Sequence, residues 1–216
     1  MLKIAPSVLA ADFARLGEEA ESIRLTGAEL IHFDVMDGQF VPNLSLGFPV
    51  LQSLRRVSPM PIDVHLMIER PIRYVEEFCA SGADHVTLHI EADTVEANLA
   101  ALGKIRAMGK TAGISLKPAT PVEAAEPFLK LCDLILVMTV EPGFGAQRFM
   151  EGMLPKITAL RRRLDEVNPG CDIEVDGGIN AATAALARDA GANILVTGSY
   201  VFSSPDRAAA IAALRG

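Results

Sequence analysis

Three observations make an α/β chain folded as a single (β/α)8 TIM barrel the expected fold class. Eight short β-rich runs alternate with longer helical patterns along residues 1–216, and no Pro/Gly-rich linker or low-complexity tract divides them. Polar, chemistry-bearing side chains fall at the C-terminal ends of several different strands, where such a barrel gathers its site. The first strand is followed by Ala10-Ala11-Asp12 rather than the Gly-x-Gly-x-x-Gly loop of an open doubly wound sheet.

Each element has a local reason. Residues 4–9 read as the first strand and 12–26 as a helix opened by Asp12 and stopped at Gly27. The second strand is 29–35, the loop Asp37 to Asn43 follows, and a helix covers about 46–56. The third strand is 61–67, and Pro71 suits the first turn of the next helix. Strand four spans 84–89, a helix 95–108, strand five 111–116, and a fifth helix is expected near Pro121. Strand six covers 133–140, then come a long glycine-bearing loop and a helix near 153–166. Strand seven is 172–176, helix seven about 181–190, strand eight 193–197, and a last helix starts near Pro205.

Alternation along the strands sorts the side chains. His32, Asp34 and Met36 share one face while Phe33 and Val35 share the other; Asp63, His65 and Met67 oppose Val64 and Leu66 in the same way. The run Ile173 to Gly178 carries Asp176 at its end. A single His or Asp in a strand is usually a hydrogen-bonded core or rim residue. Two histidines and two aspartates delivered to one end of a barrel are harder to read that way. Two carboxylates in a low-dielectric site resist joint ionisation, and a divalent cation removes the conflict. Nitrogen and carboxylate ligands suit zinc first, with manganese, iron(II) or cobalt also compatible.

Composition narrows the partners. A net charge of -7 and a pI near 5.1 leave no basic face for nucleic acid. No apolar run approaches membrane-spanning length, and the N-terminus runs straight into a strand without a leader. Cys79, Cys132 and Cys171 form neither a C-x-x-C pair nor a disulfide framework, which fits a reducing, cytoplasmic setting. The mean hydropathy of +0.29 is compatible with a buried subunit interface.

Glycine-bearing loops follow the last three strands: Gly143-Phe144-Gly145-Ala146, Gly177-Gly178 and Gly198-Ser199. Glycine lets a backbone approach an anion closely, and phosphate sites on barrels favour these loops and a nearby helix start. Met36, Met67 and Met138 fall near strand ends with inward parity, as core filler or as a dry, polarisable surface beside a charge-delocalised intermediate. His89 reads as structural, Lys117 is open, and Arg161 to Arg163 read as a solvated face.

Taken together, Ala5-Pro6-Ser7-Val8-Leu9-Ala10-Ala11-Asp12-Phe13, His32 to Gly38 running on to Phe40-Val41-Pro42-Asn43, Asp63 to Met67, Met138 to Gly145, Glu174 to Ile179, and Gly198-Ser199 resemble the ribulose-phosphate 3-epimerase family over essentially the full chain. The resemblance implies a barrel of the ribulose-phosphate-binding type and one divalent metal ion held by His32, Asp34, His65 and Asp176. It implies Asp34 and Asp176 as the acid/base pair, working through a metal-stabilised ene-diolate to interconvert D-ribulose 5-phosphate and D-xylulose 5-phosphate in the pentose phosphate pathway. Substrate contacts would come from Ser7, His65, Asp176 and the three glycine loops, and the assembly would be a homo-oligomer, a dimer or hexamer. The family usually has glycine where this chain has Ala146; a positive φ there would cost alanine on the order of 1 kcal/mol. A six-carbon ketose phosphate such as D-allulose 6-phosphate is the alternative substrate, and a non-catalytic phosphate-binding barrel the alternative class. Related decarboxylating barrels carry Asp-x-Lys-x-x-Asp on the equivalent strand, and Asp63-Val64-His65-Leu66-Met67-Ile68 lacks its lysine and second aspartate.

Overall fold

Eight parallel strands form one sheet: β1 (Lys3–Pro6), β2 (Ile31–Met36), β3 (Ile62–Met67), β4 (His85–His89), β5 (Thr111–Leu116), β6 (Leu134–Met138), β7 (Asp172–Asp176) and β8 (Ile194–Thr197). The computed structural model describes residues 1–216. Neighbours run in the order β1-β8-β7-β6-β5-β4-β3-β2. A parallel bridge between Ser7 and His32, with the Ile4 carbonyl accepting from the N–H groups of Glu29 and Leu30, brings β1 beside β2 and rounds the sheet into a nearly closed barrel.

Helices α1 (Leu16–Leu25), α2 (Phe48–Val57), α3 (Val75–Ser81), α4 (Val95–Ala107), α5 (Leu154–Val167), α6 (Ala181–Asp189), α7 (Ser199–Phe202) and α8 (Arg207–Arg215) wrap this sheet. Their apolar faces meet the outward residues of the strands. Phe33, Val64, Val86, Ile114, Ile135, Val137, Ile173 and Leu195 are all fully buried in that shell with helix residues such as Ile23, Leu54, Ile105 and Leu160. Burying one such side chain is worth roughly 1.5–3 kcal/mol, so this shell is the main source of stability. Inside the ring the sides differ. Leu134, Leu136, Met138, Ile194 and Val196 line an apolar half, whereas β2, β3, β4 and β7 send His32, Asp34, Asp63, His65, Thr87, His89 and Glu174 into the same interior.

Two strands end earlier than the sequence predicts. β1 stops at Pro6 because Ser7 turns the chain and accepts the Leu9 N–H to start a 3-10 turn at Val8–Ala10. β6 stops at Met138, where Thr139 leaves the ladder and gives its N–H to the Asp176 carbonyl. The first helix is also split: Asp12 caps a 3-10 turn at Phe13–Arg15, and α1 proper begins at Leu16. The fifth expected helix does not form. Pro121 opens only a 3-10 turn at Val122–Ala125, and Pro127, which has no N–H to give and clashes with the preceding turn, stops it there. The basic run on α5 is only partly a solvated face, since Arg161 bonds to Asp165 and the Cys171 carbonyl and Arg163 to Glu126 and Glu166.

Candidate active site

Strand register builds the site. β2 and β3 align His32 with Asp63, Asp34 with His65, and Met36 with Met67, so three inward pairs stack in rows up the barrel. β6 and β7 set Met138 beside Asp176. The result brings His32, Asp34, His65 and Asp176 together, with one nitrogen or oxygen from each lying within 4.8 Å of the others. These four side chains could hold a metal ion.

The hydrogen bonds show how each group is held. Asp34 uses Oδ2 to accept from the Ser7 hydroxyl at 2.5 Å. Its Oδ1 faces two imidazoles, His65 Nδ1 at 3.2 Å and His32 Nε2 at 3.3 Å. On the far side of its ring, His32 sets Nδ1 at 2.7 Å from Asp63 Oδ2, so that nitrogen donates, while Nε2 makes no hydrogen bond. His65 sets its far nitrogen, Nε2, at 3.0 Å from His89 Nε2, and His89 Nδ1 lies 3.1 Å from Glu91 Oε2.

The electrostatics follow from burial and these partners. Burial alone would raise Asp34, but the charge and hydrogen bonding of His32 beside it outweigh burial and hold the carboxyl well below the usual range. Asp176 goes the other way: burial, reinforced by the Asp34 charge, pushes it up to about 6. Burial would lower His32, yet Asp34 and Asp63 together raise it well above its usual value. Glu174, completely buried beside Asp63, is pushed well above the carboxylate range by burial and then by that neighbour's charge, so it adds no second negative charge beneath His32. Burial lowers His89 to about 4, which leaves it neutral.

Above these groups opens a cavity of about 1060 Å³. Its lining includes Ser7, Asp34, Asp176, the three methionines Met36, Met67 and Met138, and all three glycine loops at Gly143 to Ala146, Gly177-Gly178 and Gly198-Ser199. His32 and His65 are fully buried behind it. The Gly177-Gly178 pair is required by close approach: at φ +124 and +67, a Cβ would meet Val140 at 2.4 Å and the Phe149 backbone nitrogen at 2.3 Å. Ala146 does adopt the left-handed region, at φ +57.

Sequence parity found the four clustered groups and the methionines, but not their supports. Asn43 donates from Nδ2 to the Gly143 carbonyl at 2.7 Å and ties the loop after β2 to the loop after β6. Thr139 donates its hydroxyl to the Gly177 carbonyl at 2.7 Å and fixes the end of β7. His89, expected to be structural, touches His65 directly, and Lys117 lies over the Phe40 ring at 3.7 Å. His89 ends β4 and Lys117 directly follows β5, each at the start of a short loop, which was the available signal.

Comparison with known proteins places this geometry. The family model described as "Ribulose-phosphate 3 epimerase family" matches residues 3–202. Ribulose-phosphate 3-epimerase of Bacillus subtilis (strain 168) is 47% identical over 217 residues, covering 100% of this chain and 99% of the relative. The Mycobacterium tuberculosis (strain H37Rv) protein of that name is 49% identical over 212 residues, covering 98% and 91%. Among solved structures, KGPDC from Streptococcus mutans superposes with a TM-score of 0.74 at 15% identity, covering 100% of this chain and 96% of that one, a likeness of fold alone. The chain is an enzyme and belongs to the ribulose-phosphate 3-epimerase family.

Proposed function

We propose that this chain is a metal-dependent epimerase that interconverts D-ribulose 5-phosphate and D-xylulose 5-phosphate at carbon 3, as a step of the pentose phosphate pathway, with Asp34 and Asp176 as its two proton-transfer groups. The observation that carries the reading is the pair itself: Asp34, buried, and Asp176, partly exposed, at one end of a cavity of about 1060 Å³, one carboxyl held low and the other pushed up to about 6. Environments that drive two titratable groups apart mark an acid and a base.

The donor set fits a divalent cation. Asp34 Oδ1 and His32 Nε2 lie 3.3 Å apart inside the barrel, and that buried nitrogen makes no hydrogen bond. A divalent cation held by His32, Asp34, His65 and Asp176 would give that nitrogen a partner and balance the two carboxylates, with zinc the first candidate and manganese, iron(II) or cobalt compatible with the same ligands. When bound, the ion supplies Lewis-acid stabilisation of negative charge developing on the substrate's oxygens.

The remaining chemistry belongs to side chains. Epimerisation removes a proton from the carbon next to the ketone and returns one on the opposite face. One aspartate accepts the first proton while the other, protonated, delivers the second, and the reverse reaction exchanges their roles. Ser7 keeps Asp34 Oδ2 hydrogen-bonded and so fixes the orientation of that carboxylate. Positioned acid/base groups contribute roughly 10² to 10⁴ in rate. Met36, Met67 and Met138, all nearly inaccessible, keep water from the face where an ene-diolate would lie. The backbone at Gly143 to Ala146, Gly177-Gly178 and Gly198-Ser199 would hold the phosphate, a remote grip that positions the reacting carbon.

Three free, buried cysteines support a reducing, cytoplasmic setting, and no helix is long and apolar enough to cross a membrane. Leu25, Leu44 and Val57, each at least 60% exposed, support a homo-oligomer, which light scattering on the purified chain would test. The activity is tested by following D-ribulose 5-phosphate with Zn²⁺- and Mn²⁺-loaded protein beside Asp176→Asn. Turnover that collapses in a folded variant is the expected result. An inert parent that turns over a six-carbon ketose phosphate would replace the substrate, and a parent inert toward both would leave a binding role.

A further inference from the structure

His89 and Glu91 touch neither the cavity nor the four clustered groups' reacting side, yet they sit in a bonded line that ends on one of those groups. Glu91 accepts from the Lys117 N–H at 2.8 Å and from the Thr120 hydroxyl on Oε1, which anchors it across the loop after β5. Its other oxygen, Oε2, lies 3.1 Å from His89 Nδ1. A carboxylate accepts only, so Nδ1 of His89 carries the hydrogen and its Nε2 is a lone pair. That lone pair lies 3.0 Å from His65 Nε2, so His65 must donate there. One direction of donation therefore runs from His65 through His89 to Glu91, and it leaves His65 Nδ1 bare, 3.2 Å from Asp34 Oδ1 and 3.9 Å from Asp176 Oδ2. The His89 ring is itself held, fully buried and packed on Phe40 at 4.8 Å between centroids, with Lys117 on that same phenyl ring.

We propose that His89 and Glu91 are positioning residues, which through the line Glu91–His89–His65 fix His65 in the tautomer that presents its Nδ1 lone pair to Asp34 and Asp176. The inference rests on the metal-site reading for its purpose, though not for its geometry. His32 is served by a single carboxylate, Asp63, at 2.7 Å, whereas His65 is served by a carboxylate acting at one remove through a second imidazole. The added imidazole reaches past the rim of β4 to a glutamate that is partly exposed to solvent. The orientation of a group in the barrel interior is thereby set by the loops after β4 and β5, which otherwise contribute nothing to the cluster.

Two measurements test this. Nitrogen-15 NMR of the histidine side chains in the parent, prepared free of metal at pH 8, reads the tautomer directly: a proton on His65 Nε2 and on His89 Nδ1 is the expected result, and a proton on His65 Nδ1 overturns the proposal. Zn²⁺ affinity, measured by competition with a chromophoric chelator, is then compared in His89→Leu, His89→Gln and the parent. Loss of the acceptor in His89→Leu should weaken Zn²⁺ binding about 10- to 100-fold. His89→Gln, whose amide oxygen can accept from His65 Nε2, should recover most of it. Equal affinity in His89→Leu and the parent overturns the proposal, as does a glutamine variant no better than leucine. If His89→Leu does not fold, the parent's tautomer still decides. A parent that binds no Zn²⁺ while showing the expected tautomer sinks the metal reading and leaves the hydrogen-bond line standing.

Discussion

The two ends of the barrel use carboxylates in opposite ways. At the N-terminal end each acid closes a strand: Glu29 accepts the Ile4 N–H at 2.8 Å, Asp84 the Ile62 N–H at 3.0 Å and Asp133 the Ala112 N–H at 2.9 Å, with Asn193 doing the same for Ile173 at 2.7 Å. These acids also meet cations: Arg215 on Glu29, Arg55 and Lys110 on Asp84, Arg106 on Asp133. At the C-terminal end Asp34 and Asp176 meet no lysine or arginine; their ion-pair neighbours are histidines. One end spends its charges on backbone donors that burial would otherwise strand. The other leaves them facing imidazoles and an open cavity, ready for a ligand.

Breaking the C-terminal end should have the largest effect. Asp176→Asn retains the shape but cannot exchange a proton, and kcat should fall by about 10² to 10⁴ in a variant that still folds cooperatively, as steady-state assays and melts would show. A parent-like kcat in that variant would remove Asp176 from the chemistry.

Removing the cation should expose the strain that the charges store. In protein stripped by chelator, Asp176 has a folded value of about 6, above its ordinary 3.8, so the stability held in its protonated form fades as pH rises between those values, by on the order of 3 kcal/mol. His32 is raised above its ordinary 6.5, so its contribution is full below that pH and is lost as pH rises through the folded value. Both act in one direction, and His89, lowered to about 4, opposes them only up to its ordinary 6.5, so the stripped protein should melt at lower temperature at pH 8 than at pH 7. Added Zn²⁺, replacing those protons, should raise the midpoint more at pH 8 than at pH 5.5. A stripped protein that is more stable at pH 8 would contradict this.

Breaking the N-terminal end should do the reverse. Asp84→Ala strands the fully buried Ile62 N–H and removes both ion pairs, and should cost about 1–3 kcal/mol in denaturant titration while kcat/KM stays at the parent value. The smallest change is Ala146→Gly. Relief of the positive φ, worth about 1 kcal/mol, is largely offset by the added freedom of the unfolded glycine, so stability should move by only a few tenths of a kcal/mol in the same titration.

This division also separates what could be read in the sequence from what could not. Period-two alternation located β2, β3 and β7 and sent His32, Asp34, His65 and Asp176 inward, because parity alone decides the face of a strand residue. It could not show that Asp63 pairs with His32, which depends on β2 and β3 being in register. Nor could it show that His89 lies against His65, since that contact joins the middle of β3 to the end of β4, strands whose stagger is set by barrel closure. The absent fifth helix was legible in principle at Pro127, although Pro121 occupies a position that suits a helix start. The loop ties from Asn43 and Thr139 carry no local signature; each is a side chain reaching a carbonyl across the mouth.

The paired rows of β2 and β3 have a meaning for folding itself. A slip of one residue between these strands would turn Phe33, Val35, Val64 or Leu66 into the lumen and drive an imidazole or carboxylate into the aliphatic shell against the helices. Such a charge would have no partner there and would cost several kcal/mol. The lumen's polar rows therefore act as a proofreader: they tolerate one alignment of the chain and penalise its nearest competitors, so the groups that suit the barrel for chemistry also reject its misfolded neighbours.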